Sequence, residues 1–314
     1  INCQAPDEGN MHTLYHFATD YQRETFLKPL LEGTARSCFS MTEPEVAGSD
    51  PTLIQTTAVQ DGDDWVINGH KWFTSGAKGA DFAIVIAKTD PDASVAQARN
   101  SAFIVPLDSP GFEIVRDVET MGGKHNHPEV RYNDVRVPKE NLLGERGGGH
   151  KLGQVRLGPA RLAHCMRWLG QIEMALEMLI DRAQKRFAHG SLLSEKQSIQ
   201  WMMSDSAMEL YSSKLMVLHA AYKIENGMEF KQEVSMAKHH VANTLWRVVD
   251  RAMQVHGALG YSTDTPLAGM MQQARWARLA DGADEVHQMR IAELLMKAYN
   301  SDGSINQGVG GLPL

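Results

Sequence analysis

The spacing of apolar residues changes once along this chain, and the change falls at a glycine cluster, GERGGGH (Gly144 to His150). Before it, apolar residues come in short runs rich in β-branched and aromatic side chains: IQTTAVQ, DWVINGHKWFT, DFAIVIAKT, SAFIVPL, FEIVRDV and VRYNDVRVP. Gly, Asp and Pro clusters separate these runs, as in an antiparallel barrel or sandwich. The segment DGDDW (Asp61 to Trp65) is a hairpin-turn signal between two alternating strands. After the glycines the period becomes three and four. Leu169, Ile172, Leu176, Leu179 and Ala183 form one series, Ile199, Met203, Ala207 and Leu210 a second, and Val234, Ala237, Val241, Leu245 and Val248 a third. Three long amphipathic helices follow, with a shorter one after Glu285, packed as a bundle.

The fold class expected is α+β. A central antiparallel β domain spans 36–145 and a C-terminal four-helix-bundle domain spans 146–300. The stretch before residue 36 reads as helical and too short to be a domain. Asn10 is placed to cap MHTLYHFATDYQRETFLKPLL, where Leu14, Phe17, Tyr21 and Phe26 give a partly periodic apolar face. Residues 301–314 are Gly-rich and read as a loose tail. Much of the Met content falls in the helical half, where it reads as gap-filling core.

Composition narrows the function. A net charge of −7 and a pI near 6.0 argue against nucleic acid as the main partner, while leaving room for a local basic pocket that takes an anionic cofactor. Cys3, Cys38 and Cys165 are too few and too scattered for a disulfide framework or a CxxC metal site, which points to a reducing compartment. No stretch is long and apolar enough to span a bilayer. The chain opens at Ile1 and reads as processed or trimmed, so the absence of a leader carries little weight.

Several segments bear chemistry, each with an ordinary structural explanation beside it. In CFSMTEPEVAGSD (Cys38 to Asp50), exposed backbone N–H groups and the Thr42 hydroxyl suit a flat polar heterocycle, and a plain strand exit explains the segment equally well. In GHKWFTSGA (Gly69 to Ala77), Trp72 suits packing on an aromatic ligand with Thr74 bonding to it, or simple core. Arg186, where a helix ends ahead of Gly190, suits a diphosphate or the helix dipole. Gly257 and Gly260 in QVHGALGY read as C-cap chemistry that also admits a ligand close to backbone. The HNH and HH pairs (His125, His127; His239, His240) lack a third ligand at a recognisable spacing, so no metal is expected. In ADGADEVHQMR, Asp281 is either a turn acid or a base, and Asp284 reads as an N-cap or first-turn acid of the last helix.

Taken in order, these segments resemble the acyl-CoA dehydrogenase family of flavoproteins. The resemblance is carried by MTEPEVAGSD, INGHKWFTSGA, MGGKHNHPEVRYNDVRVPKENLLGERGGG, RLAHCMRWLGQIEMAL, RFAHGSLLSEKQ, QVHGALGY and ADGADEVHQMRIAELL, and covers nearly the whole chain. The branch it is most similar to carries Asp-Gly where others carry Glu-Gly before the last helix. The family fold is an N-terminal helical domain, a β domain and a four-helix bundle, and here residues 1–35 match only the end of the first.

The resemblance implies FAD as cofactor. The segment from Phe39 to Thr42 then lies along the flavin ring, with the Met41 backbone and Thr42 at its pyrimidine side, and Trp72, Phe73 and Thr74 lie behind it. Arg186, Gln197, Gln254 and Gly257 match residues that hold the dinucleotide end, the first two from a neighbouring subunit, which implies a homodimer or homotetramer. His189 stands where the family often has Phe, and EPEVAGSD is one residue longer than in short-chain members. Ser49 and Arg161 match positions near CoA. Asp281 falls where the family carries its catalytic Glu, one methylene longer; its own backbone N–H and a flavin ribityl hydroxyl would then meet the thioester oxygen, and Gly282 counts among the substrate-binding residues. The implied reaction is α,β-dehydrogenation of an acyl-CoA, with electron-transferring flavoprotein as acceptor. A flavin oxidase of the same fold, similar to nitroalkane oxidase, and a non-catalytic assembly relative are the alternatives. The implied compartment is cytoplasmic for a bacterial chain and mitochondrial or peroxisomal for a eukaryotic one; the terminal GGLPL is not a typical peroxisomal address.

Overall fold

A computed structural model describes residues 5–303 of the chain. The chain divides into two compact units, residues 1–160 and 161–314.

The first unit opens with helices α1 (Asp7–Phe17), α2 (Asp20–Gln22) and α3 (Lys28–Glu32), the last two joined by a π-helical turn, Arg23–Leu27. Eight strands follow: β1 (Ser37–Ser40), β2 (Thr57–Asp61), β3 (Asp64–Lys71), β4 (Phe82–Lys88), β5 (Asn100–Pro106), β6 (Phe112–Thr120), β7 (Gly123–Pro138) and β8 (Leu142–Leu143). They form one sheet in the order β6-β7-β3-β2-β4-β5-β8, with β1 added against β4. The β2–β3 hairpin turns at Gly62 (φ +66°), with Asp61 facing Asp64, where DGDDW places it.

The sheet is not wholly antiparallel. Strand β1 runs parallel to β4, Ser37 facing Phe82 through Ser40 facing Val85, and Thr57 of β2 is also a parallel partner of β4 at Lys88. Parallel partners cannot be joined by a hairpin, so they lie far apart in sequence and leave no local signal. Strand β4 reads as a continuous apolar run because both its faces are covered. Ala83, Val85 and Ala87 pack with Trp65, Phe103 and Tyr132 on one side. Phe82, Ile84 and Ile86 pack with Leu14, Phe26 and Leu30 of the helices on the other. Full burial of Ile84 and of Ile86 contributes about 2 kcal/mol each.

Asn10 does not cap a helix. It lies inside α1, fully buried, and its Nδ2 donates to Ser37 Oγ (2.9 Å) and to the Cys38 carbonyl (3.0 Å). Its Oδ1 accepts from Arg156 Nε at 3.0 Å. These three tertiary bonds engage both the amide nitrogen and Oδ1, and the helix instead begins after Pro6 with Asp7 and Glu8 in its first turn.

Helix α4 (Gly149–Lys185) crosses from the first unit to the second, with Pro159 inside it. The short strands β9 (Phe187–Ala188) and β10 (Ser191–Leu192) form a hairpin, followed by α5 (Gln197–Glu225), α6 (Lys231–His256), α7 (Ala258–Tyr261), α8 (Leu267–Ala277) and α9 (Asp284–Asp302). Ile172, Leu176, Leu179 and Ala183 of α4, and Val234, Ala237, Val241, Leu245 and Val248 of α6, are buried in one core, as their spacing predicts. Helix α8 is an element the apolar series misses; it adds Leu267, Met270, Ala274 and Ala277 to that core.

On α5 the buried face differs from the expected one. Ser206 and Ser213 are buried and Ala207 is exposed. The face runs Met203, Ser206, Leu210, Ser213, Val217, and Ser206 hides its hydroxyl by donating to the Met202 carbonyl at 2.6 Å. The opposite face carries an exposed stripe, Trp201, Met208, Tyr211, Leu215, Leu218 and Tyr222, at spacings of three, four and seven. Gly257 (φ +64°) ends α6, whereas Gly260 ends nothing: it is buried in α7, where a Cβ would sit 2.7 Å from the Met253 carbonyl. Of the expected loose tail, Ser301 and Asp302 complete α9, and 304–314 lie outside the described residues. Among the described residues no helix is long and apolar enough to cross a membrane.

Candidate functional site

In the first unit, the ends of β1 and β3 bring Met41, Thr42, Trp72 and Thr74 together. The Trp72 N–H donates to the Thr42 carbonyl at 3.0 Å, and Lys71 Nζ donates to the Met41 carbonyl at 2.8 Å. Lys71 is fully buried and pairs with Glu43, also buried, at 3.0 Å. Burial pushes the Lys71 ammonium down to about 8, against the opposing pull of Glu43. Burial pushes Glu43 upward, but Lys71, the Thr56 hydroxyl and the backbone N–H groups of Gln55 and Thr56 outweigh it, and the carboxyl stays below its ordinary value.

Thr74 is buried, its N–H on the Pro128 carbonyl and its hydroxyl 3.3 Å from Ser40 Oγ. Phe73 sits at φ +48° and is partly exposed, while the Trp72 Nε1 is buried with no hydrogen-bond partner among the described residues. Thr42 and Ser49 are exposed, and Thr42 lines a small depression with Met41, Val46 and Gly48. Phe39 points to the helix-covered face of the sheet, where the Arg156 guanidinium lies 4.1 Å from its ring centroid.

In the second unit, Asp281, Gly282 and Arg161 come together. The turn between α8 and α9 places two consecutive residues in the left-handed region, Asp281 at φ +52° and Gly282 at φ +108°. Such a conformation costs a non-glycine residue about 1–2 kcal/mol, and here two cations, the half-buried Arg161 and the fully buried Lys238, fix it. Arg161 Nε donates to the Asp281 carbonyl at 2.8 Å, and Lys238 Nζ donates to the Gly282 carbonyl at 2.6 Å. Burial lowers Lys238 to about 8, with Asp284 and Asp281 pulling the other way. The carboxylate of Asp281 lies 3.1 Å from His164 Nε2.

Asp284 is the first residue of α9 and caps nothing with its side chain. It is buried and accepts from Arg278 Nε (2.7 Å) and Asn243 Nδ2 (3.0 Å), so it anchors the turn. His287, one turn later, is buried, and its Nε2 would lie 2.8 Å from a Cβ built on Gly282. Burial first, then Arg161 and Lys238, push His287 down to about 3, despite a bond to the Asp281 backbone. The unfolded chain therefore takes up a proton on this ring below about pH 6.5 while the folded one resists until about pH 3. Stability falls as pH drops through that window, and His287→Asn narrows the fall. Urea unfolding at neutral pH and at mildly acidic pH checks this; an unchanged difference between the two in the variant rules it out.

Arg186, His189 and Gln197 are exposed around the β9–β10 hairpin, where His189 holds φ +51° and its carbonyl accepts from Lys196 Nζ at 3.0 Å. Gln254 and Gly257 are exposed on a depression bounded by Trp246, Met253, Tyr261 and Met271. The HNH loop is structural in its bonding: the Asn126 amide pairs with the Lys78 backbone, and His127 lies 2.7 Å from Ser75 Oγ. Among the described residues no group of three or more His, Cys, Asp or Glu side chains is arranged to hold a metal ion.

Sequence reasoning does not find His164, Lys238 or His287. Arg161, His164 and Trp168 share one face of α4 at spacings of three and four, and Lys238 interrupts the apolar series of α6 between Val234 and Val241. A polar residue at a core position of a helix is the signal that points to them.

Residues 38–135 match the family described as acyl-CoA dehydrogenase, middle domain, and residues 147–296 the acyl-CoA dehydrogenase C-terminal domain. The chain is 46% identical over 298 residues to a probable acyl-CoA dehydrogenase, FadE2, of Mycobacterium tuberculosis, covering 93% of this chain and 73% of the relative. It is 42% identical to acyl-CoA dehydrogenase family member 10 of Mus musculus, covering 95% of this chain but only 28% of that longer protein. Among solved structures it is similar to a putative acyl-CoA dehydrogenase from Mycobacterium abscessus, with a TM-score of 0.91 at 40% identity over 95% of this chain and 75% of that one. It is also similar to butyryl-CoA dehydrogenase from Megasphaera elsdenii, with a TM-score of 0.85 at 33% identity over 91% and 74%. Two domain matches in the right order, joined to relatives that share the fold at this identity, place the chain in the acyl-CoA dehydrogenase family.

Proposed function

We propose that the chain binds FAD and dehydrogenates an acyl-CoA thioester between Cα and Cβ, as in fatty acid β-oxidation, with Asp281 as the base. The observation that carries this reading is the carboxylate at a turn held from three sides by Arg161, Lys238 and His164. A turn acid with no task has no need of two cations on its backbone.

The first unit fits a flavin. The buried Trp72 Nε1, with no partner among the described residues, and the exposed Thr42 hydroxyl are donors that suit a flat polar heterocycle. Met41, Thr42, Trp72 and Thr74, with Phe39 behind, would hold the ring. Arg186, His189, Gln197, Gln254 and Gly257 would hold the dinucleotide end, and Ser49 and Arg161 would serve the CoA. FAD, when bound, would supply the two-electron acceptor for the Cβ hydride. Asp281 takes the Cα proton, so the proton and the hydride together account for the new double bond. Backbone at Asp281 and Gly282 stabilises the thioester oxygen as charge builds on it. Electrons then pass to an electron-transferring flavoprotein.

The exposed positions of Arg186 and Gln197, together with the apolar stripe on α5, support a homodimer or homotetramer. A monomer at micromolar concentration in light scattering would exclude it. The function is tested by anaerobic titration of the purified flavoprotein with acyl-CoAs of graded length. Bleaching of the flavin by at least one is expected; flavin that stays oxidised with all of them contradicts the reading. Reduced protein that reacts rapidly with oxygen would favour an oxidase.

A further inference from the structure

His164 is the ring that meets the Asp281 carboxylate, and its hydrogen-bond partners decide which protonation state it holds. It lies on α4 one turn after Arg161 and is buried. Its Nε2 is 3.1 Å from Asp281 Oδ2, and its Nδ1 is 2.8 Å from Arg167 Nη2. A guanidinium only donates, so Nδ1 must offer its lone pair to Arg167. The ring hydrogen is then on Nε2, and Nε2 donates it to the carboxylate. Trp168 stacks on the ring at 5.4 Å between centroids, and Trp276 meets it edge-on at 5.3 Å, which fixes its plane.

We propose that His164 is a positioning residue for Asp281: a neutral imidazole, locked by Arg167 with its hydrogen on Nε2, that clamps the carboxylate in the orientation that removes the proton. The inference rests on Asp281 being the base. His164 is not a second base itself, because Nε2 already carries its hydrogen and Nδ1 faces a cation. Within this pair the abstracted proton stays on the Asp281 carboxyl. The clamp matters more for Asp than for Glu, because a side chain one methylene shorter reaches fewer productive positions. A misplacement of about 1 Å costs on the order of 100-fold in rate.

The charged and titratable groups around the pair come from every element packed there. They are Arg161, Cys165 and Arg167 on α4, Lys238 and His239 on α6, Arg278 after α8, and Asp284 and His287 on α9. Arg161 and Lys238 act on the backbone of the turn, and His164 meets the Asp281 carboxylate itself. A bond donated to the ionised carboxylate favours that form, so its loss demands a higher pH for the same fraction of working base.

Two readouts on the flavin-loaded full chain test this. In 15N NMR of the histidine rings at neutral pH, the His164 signal should show Nε2 protonated and Nδ1 unprotonated, and Arg167→Met should release the ring into a mixture of tautomers. In anaerobic stopped-flow, His164→Ala should slow flavin reduction about 100-fold and move the acid limb of the rate to higher pH, and His164→Gln, whose amide still donates, should recover part of both losses. A purely structural role would lower thermal stability and leave the acid limb where it is. The proposal is overturned by an Nδ1-protonated or doubly protonated ring in the unmodified chain. It is also overturned by an unmoved acid limb in a folded Ala variant, or by an unchanged tautomer in Arg167→Met. If no acyl-CoA reduces the flavin, the catalytic reading fails on its own, and the ring's tautomer still decides whether Arg167 and Asp281 hold it as stated.

Discussion

Replacing Asp281 by Asn is expected to slow anaerobic flavin reduction by about 1,000-fold or more, the scale set by loss of a general base. The amide keeps a carbonyl oxygen for the His164 N–H, and the backbone bonds from Arg161 and Lys238 do not involve the side chain. The turn therefore stays folded while the group that accepts a proton is gone. Flavin content and thermal stability of the variant should match the unmodified protein. Reduction at the original rate would show that the Cα proton leaves by another route.

The second large effect is on stability. Lys71→Met is expected to destabilise the chain by about 3–5 kcal/mol, because it strands the buried Glu43 carboxylate without its cation. The same change removes the donor to the Met41 carbonyl, which lies beside Thr42 at the proposed flavin site. Flavin retention should fall along with the unfolding midpoint. Glu43→Gln should cost less: an amide oxygen in place of Oε1 still accepts from the Thr56 N–H (2.8 Å) and from Lys71 Nζ (3.0 Å), and only the bond from the Gln55 N–H to Oε2 (2.6 Å) is lost. Urea unfolding of both variants measures this, and a loss below about 1 kcal/mol for Lys71→Met would mean that the pair is not the desolvated ion pair described.

The architecture was legible where apolar period and burial agree. Alternation marks β3, a continuous apolar run marks the doubly covered β4, and the three-four series marks α4 and α6. It was illegible where a polar side chain hides its own polarity. Ser206 returns its hydroxyl to the helix backbone and Asn10 bonds across to β1, so hydropathy assigns both to the wrong surroundings. The parallel pairing of β1 with β4 joins segments more than forty residues apart, beyond any local pattern. At the site, the family resemblance alone picks out Asp281, since spacing leaves it an ordinary turn acid. His164 and Lys238 are missed because a His or Lys on a helix normally faces water, and only the fold shows what each is bonded to.

The most direct test of Asp281 as the α-proton base is deuterium exchange at Cα. The flavin-loaded chain and its Asp281→Asn variant are mixed anaerobically in D2O with an acyl-CoA that bleaches the flavin, and the recovered thioester is weighed by mass spectrometry. The account predicts label at Cα with the unmodified chain and none above background with the variant. Equal labelling by the two would contradict it.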